Sequence, residues 1–400
     1  MIKSRNPSVL YLCNALDEAT SYHRQITTDS PAATNKVVGL AEVMRQIGLR
    51  CIVLSLGRGR QNGKGKWYPV SIRRCRSTTI LYCGFLHLPI LTHIISAISL
   101  VFIIVSIARR YPNLTLLSYN RSYHYVPALI MARFIHVRSC LDLEDGYIYE
   151  DGGRARYFKN ELTRRLFQWL CPHGAMVANT GLGLQLDRTP TTVCYGVAKK
   201  NTLMPLQDWQ SRPLQVIFGG SLMEELGSKL IVDAINILRH EHPELVNQLH
   251  FVVTGKGPFA ETFKVLATLA KDWLSFKESI KRAEYLDVLA NSHVGLSIRL
   301  SSFEMGATTF PSKVIEFADH GLLVLTTRIS DVPLLFGDSA LYLENETAPA
   351  LAEMLASLPS RSYELSKVAN LGREKVLNIC SPEIVGINLY RLVSNEGLLE

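Results

Sequence analysis

The chain has 400 residues, of which 47% are apolar and 20% charged. This length is too great for one hydrophobic core, and the composition excludes a disordered or low-complexity chain, so we expect two globular domains. The eight cysteines show no Cys-x-x-Cys pair and no metal-ligand spacing. We therefore expect buried, reduced thiols in a reducing compartment. Because residues 1–7 lead directly into a strand pattern, we also expect no signal peptide.

The charge is divided unevenly between the two halves. Residues 1–200 carry 26 Lys and Arg against 11 Asp and Glu, a net of +15, and residues 201–400 carry 17 against 24, a net of −7. Such a basic half is typical of a protein that faces an anionic partner, either nucleic acid or a membrane surface. No nucleic-acid-binding motif accompanies the charge, so we expect an anionic membrane surface and no nucleic acid. A role in solubility alone stays open.

Strands alternate with helices through the first half, which predicts a parallel, doubly wound sheet. We therefore assign residues 1–197 to an N-terminal Rossmann-like domain. Its predicted strands are Ser8–Cys13, Cys51–Leu56, Ile80–Phe85, Leu114–Ser118, Arg138–Leu143, Ala175–Asn179 and Thr191–Tyr195. An apolar stripe predicts a helix from Val37 to Ile47, and a second helix is predicted over Leu91–Arg110.

The second half repeats the pattern after a polar stretch with two prolines, residues 198–213, which we interpret as a linker. We assign residues 214–378 to a C-terminal domain and residues 379–400 to a terminal apolar helix. The predicted strands are Leu214–Phe218, His250–Thr254, Val294–Ile298 and Leu322–Thr326, and the predicted helices are Leu230–Arg239, Phe259–Asp272, Pro311–Asp319 and Pro382–Val393.

The segment Phe310-Pro311-Ser312-Lys313-Val314-Ile315-Glu316 carries the strongest functional signal. Proline suits the start of a helix, and Gly321 suits a left-handed helix end before a buried strand. Lys313 and Glu316 share one face of the first turn. A lysine at a helix start suits a diphosphate, and a carboxylate one turn later suits ribose hydroxyls. The alternative is an ordinary helix–strand unit with a solvated Lys and Glu.

Two glycine-rich turns precede this segment, and both follow predicted strands. They contain Gly219-Gly220-Ser221 and Gly255, and glycine there lets backbone amides approach a phosphate. Taken in order, the three landmarks resemble the donor domain of glycosyltransferase family 4, and most closely a subgroup with a Phe-Pro-Ser-Lys motif. The resemblance implies an α/β GT-B fold: two doubly wound Rossmann-like domains facing a central cleft, with a C-terminal helix that crosses back to the first domain.

The resemblance also implies a retaining glycosyl transfer from a nucleotide sugar of UDP or GDP type, with no cofactor and no metal. The donor site that it implies contains Gly219, Gly220, Ser221, Lys229, Gly255, Glu304, Phe310, Ser312, Lys313 and Glu316. Glu316 is also a candidate catalytic residue.

The first glycine loop departs from the family pattern. Residues 221–227 contain two acids and no base, where the family usually carries an Arg and a Lys. We expect Lys313 to supply the missing cation, with Lys229 as the alternative. The family's first glutamate would fall on Thr308, so Glu304 is the nearest candidate for that role.

The acceptor site is predicted in the first domain. Asp142, Glu144 and Asp145 lie at the carboxyl end of a strand, where ligands bind in open α/β sheets, and they are candidate catalytic residues. A plain polar turn is the alternative. Tyr119, Asn120 and His124 follow the neighbouring strand and are candidate acceptor contacts.

Residues 77–108 contain no Asp, Glu, Lys or Arg, which raises the question of a membrane span. Because serines recur along the helix Leu91–Arg110, we expect it to pack on the sheet and the protein to lie on the membrane without crossing it. The neighbouring cations would then contact anionic headgroups. They are Arg58, Arg60, Lys64, Lys66, Arg73, Arg74, Arg76, Arg109 and Arg110.

The favoured function is that of a glycosyltransferase in surface polysaccharide synthesis. We expect it to transfer a hexosyl group to a polysaccharide or lipid-linked acceptor. We expect it on the cytoplasmic face of the plasma membrane. The missing first-loop cations keep a second interpretation open, a catalytically weak GT-B subunit that partners another glycosyltransferase.

Overall fold

A computed structural model describes residues 7–28, 31–62, 64–146, 153–187, 189–198, 207–278, 280–303 and 309–394. The chain forms two compact units. Unit 1 comprises residues 1–197 together with 382–400, and unit 2 comprises residues 198–381. The predicted Glu304 lies outside the described residues, as do Thr308 and residues 199–206 of the predicted linker.

Unit 1 is built on strands joined mostly by helices. Its strands are β1 (Ser8–Cys13), β2 (Ile26–Thr28), β3 (Arg50–Ser55), β4 (Arg60–Gln61), β5 (Trp67–Tyr68), β6 (Ser71–Cys75), β7 (Thr78–Tyr82), β8 (Phe85–Leu86), β9 (Leu114–Tyr119), β10 (Arg138–Leu143), β11 (Ala175–Val177) and β12 (Thr191–Val193). Its helices before residue 198 are α1 (Glu18–His23), α2 (Pro31–Gln46), α3 (Leu91–Arg110), α4 (Val126–Phe134), α5 (Gly153–Leu170) and α6 (Thr180–Leu184).

Eight of these strands form one sheet in the order β12-β11-β10-β9-β1-β3-β7-β6. All neighbours are parallel except β6, which pairs antiparallel with β7. The chain builds outward from β1 through β3 and then returns to β9 on the other side of β1. The carboxyl ends of β1, β3 and β9 therefore mark the switch point at which doubly wound sheets bind ligands.

Three local predictions in unit 1 need correction. The predicted strand Ile80–Phe85 is divided into β7 and β8, because the chain turns at Cys83 and Gly84. The stretch from Arg58 to Arg76, in which we predicted no strand, contains β4, β5 and β6. Arg58 itself is only 8% exposed, so it does not contact headgroups as expected.

Helix α3 packs against the rest of unit 1 through one face. Ser96, Leu100 and Ile104 are buried, and the helix contacts β8 and α4. The opposite face leaves Ile90, Ile94, Ile98 and Phe102 between 49% and 71% exposed. By length and composition, α3 is also the one helix in the described part of the chain that is apolar enough to cross a membrane.

The last helix, α14 (Pro382–Val393), completes the core of unit 1. Val385, Leu389, Leu392 and Val393 are buried in the same cluster as residues of β1 and α2. The Thr115 hydroxyl in β9 donates to the Val393 carbonyl at 2.9 Å. A Cβ on Gly386 would lie 2.7 Å from the Ile47 side chain, so α14 and α2 are in close contact.

Unit 2 repeats the alternation of strand and helix. Its strands are β13 (Leu214–Ser221), β14 (Leu249–Lys256), β15 (Leu274–Lys277), β16 (Val294–Ser297), β17 (Leu323–Thr326) and β18 (Leu341–Tyr342). Its helices are α7 (Ser228–Glu241), α8 (Ala260–Leu269), α9 (Arg282–Asn291), α10 (Lys313–Asp319), α11 (Val332–Phe336), α12 (Ala348–Ala356) and α13 (Ser362–Cys380).

The strands of unit 2 form a parallel sheet in the order β15-β14-β13-β16-β17-β18. The order reverses beside β13, so the carboxyl ends of β13 and β16 mark the switch point. The predicted α/β class with two doubly wound sheets is thus confirmed. Trp209 is buried in the core of unit 2, so the described part of the predicted linker packs as part of that unit.

Helix α10 begins two residues later than predicted, at Lys313, and Pro311 lies before it. Gly321 has the expected positive φ, +78°, and ends the helix before β17. Because α10 is short and packed between β16, β17 and α13, its first turn is held firmly.

Candidate active site

Two glycine turns meet at the carboxyl edge of the sheet in unit 2. Gly220 and Gly255 lie opposite each other in the register of β13 and β14. Their φ angles are +119° and +144°, and a Cβ on Gly255 would lie 1.8 Å from the Gly220 carbonyl oxygen. A Cβ on Gly220 would lie 2.7 Å from Cε of Lys313, so the lysine side chain lies directly against the first turn.

Lys313 and Glu316 are joined by residues of α9. The Lys313 amine lies 3.3 Å from the Tyr285 hydroxyl, which donates to the Glu316 carboxylate at 3.1 Å. Arg282 donates to the other carboxylate oxygen of Glu316 at 2.8 Å. The Lys313 amine also lies over the Tyr285 ring, 5.3 Å from its centroid. The donor candidates of the helix therefore form one connected cluster with Arg282 and Tyr285.

The pKa values of both partners in this cluster are shifted below their ordinary values. Burial raises the pKa of the Glu316 carboxyl, but Lys313 and Arg282 outweigh burial and hold it below its ordinary value. Burial lowers the pKa of the Lys313 amine, and Glu316 opposes that shift. An anionic Glu316 can accept hydrogen bonds from hydroxyls, and a partly desolvated Lys313 can bind an anion strongly.

The other donor candidates are placed less centrally. Ser221 and Ser312 are exposed at the ends of β13 and α10, and Phe310 is buried. Gly219 packs close to Thr254 and Tyr285. Lys229 forms an exposed ion pair with Asp233 at 2.8 Å, one turn further along α7. Of the two lysines considered as the substitute cation, Lys313 is the one that contacts the glycine turn.

The acidic candidates of unit 1 surround Lys36, at the carboxyl edge of its sheet. The Lys36 amine lies 2.7 Å from Asp142 and 2.5 Å from Glu144. Asp142 also accepts a hydrogen bond from the Tyr11 hydroxyl, and Tyr119 donates to Glu144 at 3.2 Å. Burial and Glu144 raise the pKa of Asp142, and Lys36 opposes that shift.

Asn120 connects this cluster to the loop after β10. Its φ is +54°, and its side-chain oxygen accepts from the Glu144 amide at 2.7 Å while its amide nitrogen donates to Asp145 at 2.9 Å. Asp142 is fully buried, so it has no surface for an acceptor and holds Lys36 in place instead. Glu144 and Asp145 are the acids of this cluster that stay accessible.

His124 lies apart from these acids and lines a cavity of unit 1. Its ring stacks on His93 with centroids 4.8 Å apart, and Arg58 donates toward His93 at 3.4 Å. Burial, with Arg58 and His93 nearby, lowers the pKa of His124 to about 4. The acceptor candidates thus divide into two groups, with Tyr119 and Asn120 in one and His124 in the other.

Four residues of these sites were not foreseen from the sequence: Arg282 and Tyr285 in unit 2, and Lys36 and Tyr11 in unit 1. Lys36 had a usable signal, since it is a lone cation at the start of an otherwise apolar helical stripe. No signal in the sequence indicated Arg282 and Tyr285. Helix α9 follows no recognisable motif, and only the tertiary fold brings it into contact with α10. Within the described ranges, no group of three or more His, Cys, Asp or Glu side chains is arranged to hold a metal ion.

Residues 213–360 match the family model described as Glycosyl transferases group 1. A comparison with curated protein sequences finds no relative. Solved structures with the same fold include a sucrose-phosphate synthase from Thermosynechococcus elongatus, at 13% identity and a TM-score of 0.66, covering 97% of this chain and 98% of that one. HepE from Anabaena, solved with UDP and glucose, is 12% identical with a TM-score of 0.66, covering 97% and 99%.

A third example is a trehalose 6-phosphate synthase from Burkholderia multivorans, which is 11% identical with a TM-score of 0.64, covering 97% and 96% of the two chains. These likenesses span nearly the whole chain and show the GT-B fold. Together with the family match, which covers residues 213–360 of unit 2, they support the assignment of this chain to the transferases. The predicted enzyme class is confirmed.

Proposed function

We propose that the chain is a retaining glycosyltransferase that moves a hexosyl group from a UDP or GDP sugar to a saccharide acceptor. The observation that carries this proposal is the placement of Lys313 against the Gly220 turn, with Glu316 one turn later in the same cluster. A lysine there would stabilise the leaving nucleotide diphosphate, and Glu316 would accept hydrogen bonds from the ribose. HepE, a structural neighbour, was solved with UDP and glucose, which supports this donor class.

A thermal-shift assay is the first test of nucleotide-sugar binding. UDP-glucose and GDP-mannose, with the free sugars as controls, should be compared for the shift in melting temperature that each produces. A shift with a nucleotide sugar and none with its free sugar supports the donor site. Absence of any nucleotide-dependent shift contradicts it. The anomeric configuration of the product, read by NMR, then tests retention.

The alternative is a catalytically weak subunit that partners another glycosyltransferase. It is favoured by one observation: residues 221–227, which follow the glycine turn in the chain, contain Glu224 and Glu225 and no Lys or Arg. Tight binding of the nucleotide sugar without slow hydrolysis or transfer would support this alternative over the enzyme.

We further propose that unit 1 docks on an anionic membrane from the cytoplasmic side without crossing it, so that a lipid-linked acceptor for surface polysaccharide is within reach. The exposed stripe of α3 consists of Ile90, Ile94, Ile98 and Phe102, and Arg109 and Arg110 follow at the end of the helix. Apolar side chains beside cations suit the boundary between headgroups and acyl chains. Of the α3 side chains, Ser96, Leu100 and Ile104 are buried, and these contacts within unit 1 are the observation that favours docking over a span.

Vesicle sedimentation tests the docking. Binding to vesicles of phosphatidylcholine with phosphatidylglycerol should fall in high salt, because headgroup contacts are screened within about 10 Å at 0.1 M. Phe102→Ser should weaken binding further, and Leu269→Ser, at an equally exposed leucine of unit 2, should not. Binding that is indifferent to salt and released only by detergent would mean that α3 is inserted.

A further inference from the structure

A cavity of about 500 Å³ lies in unit 1 at the switch point of its sheet. It is formed where β1, β3 and β9 end, by Asn14, Leu56, Arg58 and Ser122, and the start of α3 lines another side of it. Its basic lining residues are Arg58, Lys64, His87, His93 and His124. No aspartate or glutamate is found among the described residues that line it, so the cavity is cationic.

Arg58 is the central group of this cavity, and it is built in rather than adventitious. It is 8% exposed, and its guanidinium donates at 3.4 Å to the Thr92 carbonyl and to His93. The Asn14 side chain fixes the Arg58 backbone from both directions, accepting from its amide at 3.0 Å and donating to its carbonyl at 2.6 Å. A buried guanidinium costs solvation energy unless an anion or acceptor compensates it.

A second buried arginine supports the loop that carries Arg58. Arg24 is 2% exposed and donates to the carbonyls of Gly57 at 3.0 Å and Cys83 at 3.2 Å. Its guanidinium also lies over the rings of Tyr82 and Phe85, 5.1 and 5.3 Å from their centroids. The chain entering the cavity is therefore held rigidly, which suits a preorganised binding site.

The N-terminus of α3 by itself offers few free amides to an anion. The first amides of α3 already bond to neighbouring carbonyls, as in Thr92 to Leu88 at 3.0 Å and Ile94 to Ile90 at 3.1 Å. The ring of His87 presents a buried Nδ1 that has no partner among the described residues. The side chains of Arg58, Lys64 and the histidines, rather than the helix terminus, are thus the groups available to an anion.

We propose that this cavity binds a phosphate or diphosphate group carried by the acceptor, an inference that rests on the proposed glycosyl transfer. A phosphate ester fits because Arg58 can bind its oxygens through paired donors and Lys64 adds a mobile second charge. The group could belong to a water-soluble sugar phosphate or to a prenyl-linked saccharide. The prenyl source would place its chain along the exposed side of α3, where the exposed Ile90 and Ile94 each adjoin, in the chain, a residue that lines the cavity, Pro89 and His93.

Calorimetry with pyrophosphate as the probe tests the site, with UDP added first at saturation so that unit 2 is occupied. UDP binding is measured separately: its absence counts against the proposed donor site, whereas the pyrophosphate titration reports on the cavity alone. We expect saturable binding that Lys64→Gln weakens by about tenfold, the usual loss for a charge-assisted hydrogen bond, and that Arg58→Gln weakens at least as much.

The matched control is Lys66→Gln, two residues along the same loop, where the amine bonds to the Gln25 side chain outside the cavity. Equal losses in Lys64→Gln and Lys66→Gln would reveal a diffuse charge effect and overturn the proposal, as would the absence of saturable binding in the parent protein. If Arg58→Gln does not fold, the exposed Lys64 still decides the outcome.

Two further probes distinguish the sources of the phosphate. Glucose 1-phosphate represents the soluble source, and farnesyl diphosphate below its micelle concentration represents the prenyl source. Ile94→Ser should weaken farnesyl diphosphate several-fold and leave glucose 1-phosphate unchanged if the prenyl chain lies along α3. Binding of either probe that depends on Lys64 supports the phosphate site, and binding of neither contradicts it.

Discussion

Lys313 and Glu316 act at the scale of single residues, since each contributes one charge to the same small cluster. Lys313→Ala and Glu316→Ala should each weaken nucleotide-sugar binding by about 1.5–3 kcal/mol, the cost of losing a charge-assisted hydrogen bond. Calorimetry with the nucleotide sugar that protects the parent protein measures the loss. Lys264→Ala, an exposed lysine of α8 paired with Glu261, is the control. Unchanged affinity in both variants would disprove the donor site.

Gly255 illustrates how closely the two turns approach. Gly255→Ala would place a Cβ 1.8 Å from the Gly220 carbonyl oxygen at a φ of +144°, so unit 2 should lose more than the roughly 1–3 kcal/mol of backbone strain alone. Thermal unfolding measures the change. Gly39→Ala is the contrast, because nothing lies within 4 Å of its Cβ in the helix α2, and alanine there should stabilise by about 0.5–1 kcal/mol. Similar melting temperatures for the two variants would contradict this packing.

Helix α2 and strand β10 are joined by one buried ion pair, between Lys36 and Asp142. Lys36→Met should destabilise unit 1 at pH 7 by about 3–5 kcal/mol, because Asp142 would keep an uncompensated buried charge. Burial raises the pKa of Asp142, so the folded state binds its proton more tightly and stability is lost as the pH rises from the ordinary pKa of an aspartate toward the raised one. The stability of Lys36→Met should therefore rise as the pH falls from 7 toward 5, as followed by urea unfolding.

The double variant Lys36→Met with Asp142→Asn separates charge from packing. It removes the buried carboxylate, while the amide oxygen of the new side chain can still accept from the Tyr11 hydroxyl. Much of the lost stability should therefore return, and the dependence on pH should disappear. A double variant as unstable as Lys36→Met, with the same dependence on pH, would show that packing rather than charge explains the loss.

Strands were predictable wherever a single apolar run in the sequence corresponds to a single buried strand. The strands Ser8–Cys13 and Arg138–Leu143 were found at their observed bounds because parallel strands are buried on both faces. The short strand β6 was missed, since its successive Arg73 and Arg74 are exposed at the sheet edge and resemble a basic loop.

The candidate sites were predictable only in part. Lys313 and Glu316 lie three residues apart, so local spacing was enough to pair them. The contact of Glu316 with Arg282 joins residues 34 positions apart, and that of Lys36 with Asp142 joins residues 106 apart. No local pattern encodes such contacts. Arg58 was assigned to lipid for the same reason, because its burial depends on Asn14 and Thr92 from other elements.

At the scale of the whole molecule, α14 belongs to unit 1 although it follows unit 2 in the chain. Leu389→Asp should therefore destabilise unit 1 selectively, since Leu389 is fully buried in its core. Limited proteolysis followed by mass spectrometry should show cleavage within residues 7–197 and protection within 207–381. Ile387→Asp, at a half-exposed position of the same helix, is the control. Equal protection of unit 1 in both variants would contradict the assignment of α14.

The same placement has a consequence for biosynthesis. The ribosome synthesises residues 382–393 only after the whole of unit 2. While unit 2 is being translated, the core of unit 1 therefore lacks Val385, Leu389 and Leu392. During that interval α2 exposes the surface that α14 later covers, including Val43 and Ile47. The first unit to emerge is thus the last to complete its core, and this apolar surface of α2 stays uncovered until residues 382–393 have been made.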